Sequence, residues 1–109
     1  MHPPTLRLEK TVAVVIPCYK VSAHILKVLA SIGPEVAQIY VVDDACPEGS
    51  GGLVRRECRD PRVTVLVHRV NRGVGAAVMT GYRAAYDKGA QVIVKLDGDF
   101  EFRRVVRPA

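Results

Sequence analysis

Gln38-Ile39-Tyr40-Val41-Val42-Asp43-Asp44 is the stretch on which the reading of this chain turns. Residues 38–42 form an apolar, β-branched run without alternation, which reads as a strand buried on both faces. Asp43 and Asp44 close it. Outward from this run, residues 11–16, 62–68 and 91–96 carry similar Val/Ile-rich patterns and predict three more strands. Between them lie helical patterns. Val21, Ile25, Val28, Leu29 and Ile32 recur on one face, with Ser22 as candidate cap and Gly33-Pro34 as stop. A glycine-rich loop is expected over 45–52, a short charged helix over 53–59 and a turn at Asp60-Pro61. After the break at Asn71-Arg72-Gly73, a helix presents Val74, Ala77, Val78, Gly81, Tyr82 and Ala85 on one face, with Gly89 as its stop. The order β-α-β-α-β-α-β with short links predicts an α/β fold: a mainly parallel sheet with helices on both faces.

Composition narrows the function classes. The chain has 109 residues, 49% apolar and 25% charged, enough for one soluble domain with a core. No apolar run approaches the ~20 residues of a membrane-spanning helix, and Met1-His2-Pro3-Pro4-Thr5 lacks a signal peptide's apolar stretch. The expectation is a cytoplasmic chain, one that reaches the inner face of a membrane only as a peripheral visitor. The net charge of +5 is dispersed, with no basic run interleaved with aromatics, so nucleic-acid binding is not expected. Cys18, Cys46 and Cys58 form no CxxC pair, and His2, His24 and His68 form no cluster. Reduced thiols and no zinc site follow.

Ligands of such sheets bind outside the C-terminal strand ends. Pro17-Cys18-Tyr19, Asp43-Asp44 and Asp97-Gly98-Asp99 all fall there. The DxD of Asp97 and Asp99 sets two carboxylates around the smallest residue. Mg²⁺ and Mn²⁺ take oxygen ligands and share themselves between one or two carboxylates and substrate phosphates. At Asp43-Asp44 a carboxylate can accept a base N–H or a ribose hydroxyl. The alternative is that one of the two caps the next helix or bonds the 50–52 loop. Arg72-Gly73-Val74-Gly75 opens a helix, whose N-terminus favours an anion; an ordinary cap by Asn71 is the plainer reading. The pattern is no dinucleotide fingerprint, because it follows the third strand and Val78 stands where the third glycine would be. Tyr19 either packs on a nucleobase or covers the sheet end. Lys20 and Lys95 read as solvated, and His68 as an edge or core histidine.

Four segments together resemble a known family: Val-Val-Ile-Pro-Cys-Tyr (14–19), Val-Val-Asp-Asp-Ala-Cys-Pro-Glu-Gly-Ser (41–50), Asn-Arg-Gly-Val-Gly-Ala-Ala (71–77) and Lys-Leu-Asp-Gly-Asp (95–99). In order and spacing they are similar to family 2 glycosyltransferases of the GT-A fold, especially bacterial members like dolichyl-phosphate mannose synthases. The resemblance implies that residues 11–99 are the Rossmann-like N-terminal half of a GT-A domain, after an N-terminal extension at 1–10. It implies a crevice for a UDP- or GDP-linked sugar. Pro17 and Tyr19 would line the nucleoside pocket and Asp44 would take the base with Asp43 beside it; Arg72 and Gly73, at the anion-favouring helix start, are counted with them as nucleotide-sugar-binding candidates. Asp97 would contact the ribose or a metal-bound water. Asp99 would ligate Mg²⁺ or Mn²⁺, so Asp97 and Asp99 are the metal candidates. The sugar would pass with inversion to an acceptor, a lipid phosphate or a polysaccharide, with a carboxylate base on its hydroxyl.

Two departures shape the expectation. Lys20 stands where the family usually has Asn. Residues 100–109, Phe-Glu-Phe-Arg-Arg-Val-Val-Arg-Pro-Ala, diverge from the family pattern. A frameshift or fragment boundary near Asp99 would account for this tail, and it places the acceptor half and the catalytic base beyond Ala109. The alternative function is then a non-catalytic nucleotide-binding remnant. A response-regulator receiver fits less well, because the acid pair follows the second strand. A sugar-phosphate nucleotidyltransferase would carry a glycine-rich loop in place of Pro17-Cys18-Tyr19.

Overall fold

Two central strands organise the molecule, and both are saturated with residues that bury well from either face. In the computed structural model, which describes residues 10–98, the elements are β1 (Val12–Cys18), α1 (Ile25–Ala30), β2 (Val36–Asp43), α2 (Ser50–Glu57), β3 (Val63–Val67), α3 (Val74–Asp87) and β4 (Val92–Lys95). The strands form one sheet in the order β3-β2-β1-β4, with every pairing parallel. The mainly parallel α/β sheet with helices on both faces, expected from the pattern, is the observed fold.

Successive side chains of a strand point to opposite faces, and the core divides accordingly. Val14, Ile16, Cys18, Ile39 and Val41 pack with Ile25, Val28 and Leu29 of α1 and Val54 of α2. Ala13, Val15, Tyr40 and Val42 face the other way and pack with Ala77 and Ala85 of α3. A Cβ on Gly81 would run into the Val15 side chain, so α3 lies close on β1 only because that position is glycine. Strand β4, at the edge of the sheet among the described residues, is less covered, leaving Val92 and Val94 partly exposed.

Three local boundaries differ from the sequence expectation. β1 continues through Pro17 to Cys18; β4 pairs only with Val12–Val15, so beyond that point one flank of β1 has no ladder and tolerates a residue without N–H. α2 begins at Ser50, three residues earlier than expected, inside the glycine-rich stretch. Its cause is Asp43, whose Oδ2 accepts the Gly51 N–H at 2.8 Å. Ser22 does not cap α1, which starts at Ile25 with no side-chain cap; its hydroxyl instead lies 3.2 Å from that of Ser50. Gly89 ends α3 as expected, at φ +86°.

At the opposite end of the sheet, Arg62 ties the turns together. Its guanidinium donates to the carbonyls of Gly33 (2.7 Å), Val36 (2.8 Å) and Ile32 (3.1 Å) and to the Asp60 carboxylate (2.8 Å). Among the described residues no helix is long and apolar enough to cross a membrane.

Candidate functional site

Because all four strands run parallel, their C-terminal ends share one side of the molecule. There the ends of β1 and β2 and the start of α3 enclose an open cavity of about 340 Å³. Pro17, Cys18 and Tyr19 form one wall, Asp44 and Asn71 lie across from them, and Gly73, Val74 and Ala77 of the α3 start complete it. Tyr19 is half-exposed (46%), with the Lys20 ammonium 5.6 Å from its ring centroid. The loops that follow β1 and β2 each hold a non-glycine residue in the left-handed region, Lys20 (φ +59°) and Ala45 (φ +58°). Such conformations cost about 1–2 kcal/mol each and persist where neighbours over-determine them. Here the Lys20 N–H donates to the Cys46 sulfur at 3.0 Å, joining the two loops.

The two adjacent acids have different partners. Asp43 Oδ1 accepts the Cys46 N–H at 2.7 Å and Oδ2 the Gly51 N–H at 2.8 Å, so its carboxylate builds the loop and the first turn of α2. Asp44 turns the other way. Its Oδ1 accepts the Arg72 N–H (2.9 Å) and pairs with His68 Nδ1 (2.7 Å), and its Oδ2 accepts the Gly73 N–H (2.8 Å). The protein's own carboxylate thus holds the Arg72-Gly73 turn that leads into α3, a helix whose N-cap residue, Gly73, makes no side-chain cap. Asn71 donates to the Asp44 carbonyl at 3.1 Å instead. Burial pushes the Asp44 pKa up, but the bonds from His68, Arg72 and Gly73 outweigh it and hold the pKa below the ordinary carboxylate value.

The sequence marks His68 as nothing more than an edge or core histidine. It is buried, and its Nε2 lies 2.8 Å from the Thr80 hydroxyl, so it links the end of β2 to the middle of α3. No sequence signal pairs His68 with Asp44, 24 residues away.

The sequence-derived candidates thus divide. Pro17, Tyr19, Asp44 and Gly73 come together around the cavity; Asp43, Arg72 and Asp97 are not among the described residues that line it. Only the backbone of Arg72 meets Asp44; its side chain borders a separate groove with Ala76, Met79, Thr80 and Arg83. Asp97 is exposed, with Lys95 Nζ at 3.0 Å from its Oδ1. Asp99 lies outside the described residues, and among the described ones no three His, Cys, Asp or Glu side chains gather as a metal cluster.

The thiols also divide. Burial, followed by the nearby Asp43 and Cys46, pushes the Cys18 pKa up from 9.0 to about 12. Burial raises that of Cys46 too, but bonds from the Ser50 hydroxyl and the N–H groups of Lys20 and Glu48 bring it below the ordinary value.

This parallel sheet with its loop-built acidic end agrees with what sequence comparison finds. Residues 13–105 match the model of the family described as Glycosyl transferase family 2. The chain belongs to glycosyl transferase family 2. Its relatives include the undecaprenyl-phosphate mannosyltransferase of Micrococcus luteus, 33% identical over 81% of this chain and 37% of that protein. The polyprenol monophosphomannose synthase of Mycolicibacterium smegmatis is 30% identical over 89% of this chain and 38% of its own length. The UDP-N-acetylglucosamine–dolichyl-phosphate N-acetylglucosaminyltransferase of Methanococcus voltae is 25% identical over 84% and 42%. The chain therefore spans about two fifths of the length of the curated relatives it matches. The resemblance seen in the four motifs, to the mannose synthase-like branch of family 2, holds. The fold over residues 10–98 is the Rossmann-like half with which a GT-A domain begins.

Proposed function

We propose that this family 2 chain forms the donor side of a glycosyl-transfer crevice. It binds a nucleotide diphosphate sugar, UDP- or GDP-linked, with Mg²⁺ or Mn²⁺, for inverting transfer to a polyisoprenoid phosphate. The observation that carries the reading is Asp44, a buried carboxylate held by three donors at the wall of the strand-end cavity. Three bonds leave one of its roughly four acceptor positions for a ligand N–H. A nucleobase offers such a group, and the half-exposed Tyr19 ring offers a face to stack on. Gly73 allows close approach beside it. Asp43 serves the site indirectly, by shaping the loop after β2.

The metal assignment rests on donor chemistry. Asp97 is an exposed oxygen donor at the end of β4, the type Mg²⁺ and Mn²⁺ take, and Asp99 in the same DxD would be the second. Lys95 must release Asp97 Oδ1 for this to happen. When bound, the ion would neutralise charge on the departing nucleoside diphosphate. The acceptor class comes from the relatives, three of which are named for undecaprenyl, polyprenol or dolichyl phosphate. No described residue is assigned as the base on the acceptor.

Thermal melting of the purified chain with UDP or GDP, with and without Mn²⁺, tests this directly. The nucleotide should raise the melting temperature more with Mn²⁺ than without, and Asp99→Ala should remove that increment. Equal shifts with and without the metal would remove it from the proposal, and no shift with either nucleotide would defeat the reading. A parallel assay of sugar transfer to a polyprenyl phosphate separates an enzyme from the alternative, a nucleotide-binding module without turnover.

A further inference from the structure

We infer that His68 and Thr80 are positioning residues that hold Asp44 in one ionisation state and one orientation for the nucleotide; the inference rests on the proposed nucleotide-binding role of Asp44. Asp44 is 3% exposed and His68 9%. The two are 2.7 Å apart through Oδ1 and Nδ1, and His68 Nε2 is 2.8 Å from Thr80 Oγ1. Chemistry orders the protons along this line. An ionised carboxylate only accepts, so His68 donates from Nδ1, and the Thr80 hydroxyl, able to donate or accept, meets its Nε2. Asp44 draws the Nδ1 donor onto Oδ1, Thr80 holds the ring from the Nε2 side, and the Arg72 and Gly73 N–H groups complete the locking of the carboxylate plane.

The arrangement has the form of a metal site's outer shell or a hydrolase's carboxylate–imidazole–hydroxyl line, but its end differs. Thr80 lies on α3 at the separate Arg72–Arg83 groove, away from the cavity that Asp44 lines. The line therefore runs from a helix to the ligand side and not from a base to a nucleophile. It also explains the burial of a histidine beside an acid already held by two backbone N–H groups. The Arg72 and Gly73 N–H groups already bind Asp44 to the turn before α3, so holding that turn alone does not require His68.

The test uses the whole chain and three variants, with UDP and GDP affinities in Mn²⁺ measured by calorimetry and folding followed by circular dichroism. His68→Leu removes the donor to Oδ1 and should weaken binding about tenfold or more, the usual weight of a hydrogen bond to a charged group. His68→Asn keeps an N–H at the Nδ1 position and should restore affinity to within about threefold of the parent. Thr80→Val touches no ligand, keeps the ring, and should weaken binding by roughly threefold while a ¹⁵N spectrum shows the His68 Nε2 resonance shifting as its hydrogen bond is lost. Nucleotide affinity unchanged in folded His68→Leu, His68→Asn no better than His68→Leu, or an Nε2–H tautomer in the parent would each overturn the inference. Should His68→Leu not fold, Thr80→Val decides: parent-like affinity with a parent-like spectrum refutes the relay. If the parent binds neither nucleotide, the proposed function fails and this inference falls with it, a result distinct from binding that ignores the relay.

Discussion

The ends of β2 and β4 look alike in sequence and behave in opposite ways. Each is an apolar strand followed within two residues by an aspartate. At β2 both acids are buried, and five donors reach their four oxygens. At β4 the Asp97 side chain is 62% exposed and holds one exposed lysine. β2 lies inside the sheet, flanked by β1 and β3, with loops and helices folding over its end; among the described residues β4 is an edge strand. The comparison teaches that an acid at a strand end does not by itself make a ligand site. The interior acid is organised by the fold before any ligand arrives, whereas the edge acid has its geometry still to be set.

Asp43→Ala should produce the largest effect, because it strands one buried N–H group, that of Gly51, and one part-buried, that of Cys46. A loss of roughly 2–5 kcal/mol in urea unfolding is expected, and a loss below about 1 kcal/mol would break the claim that β2's end is organised by its own acids. The paired exchange Asp44→Asn and Asp97→Asn sharpens the contrast. The first should cost about 1–3 kcal/mol, since an amide cannot serve three donors. The second should change stability by no more than about 0.5 kcal/mol, as for an exposed ion pair.

A pH titration of stability is the next test. The folded pKa of Asp44 lies below its ordinary value of 3.8, and so does that of Asp60, lowered chiefly by its bonds from Arg62. Groups depressed on folding bind fewer protons in the native state, so their stabilisation is present above the ordinary value and is lost as pH falls through the folded one. The parent should lose stability as pH drops below 3.8, and Asp44→Asn should flatten that acid limb. An unchanged limb would show that the interior acid carries no such linkage.

The smallest effect concerns the thiols on the same side of the sheet. At about pH 8, Cys46 should be alkylated by iodoacetamide in the native protein, while Cys18 should react only on unfolding. The sign for Cys18 runs the other way from the acids. Its raised folded pKa means stability is retained below 9.0 and falls as pH rises from there toward about 12. Comparable labelling of both cysteines in the native state would mean that the interior strand end is open to reagent.

Much of this architecture is legible in the residues alone. The four strands and the α3 face follow from apolar periodicity, and the observed strands agree within about two residues. α2 starts three residues earlier than composition suggests, because Gly49-Ser50-Gly51-Gly52 has loop character and nothing local shows that Asp43 will cap it. Ser22 and Asn71 carry good capping chemistry and do not cap: the Ser22 hydroxyl meets that of Ser50, and the Asn71 amide donates to the Asp44 carbonyl. Spacing leaves Asp43 open between ligand and loop; its hydrogen bonds place it on the loop. Asp99 and the divergent tail lie outside the described residues.

By itself the sequence determined that apolar runs alternate with amphipathic helices, and hence that the strands are parallel and the acids gather at one end. Connections between parallel strands must cross back over the sheet, so every strand end of one kind falls on one side. Only the tertiary structure decided which acid is engaged and by what. The donors to Asp43 and Asp44 come from 3 to 29 residues away, and burial makes each unsatisfied N–H costly. That accounting is settled by packing in space, which the spacing of residues along the chain does not record.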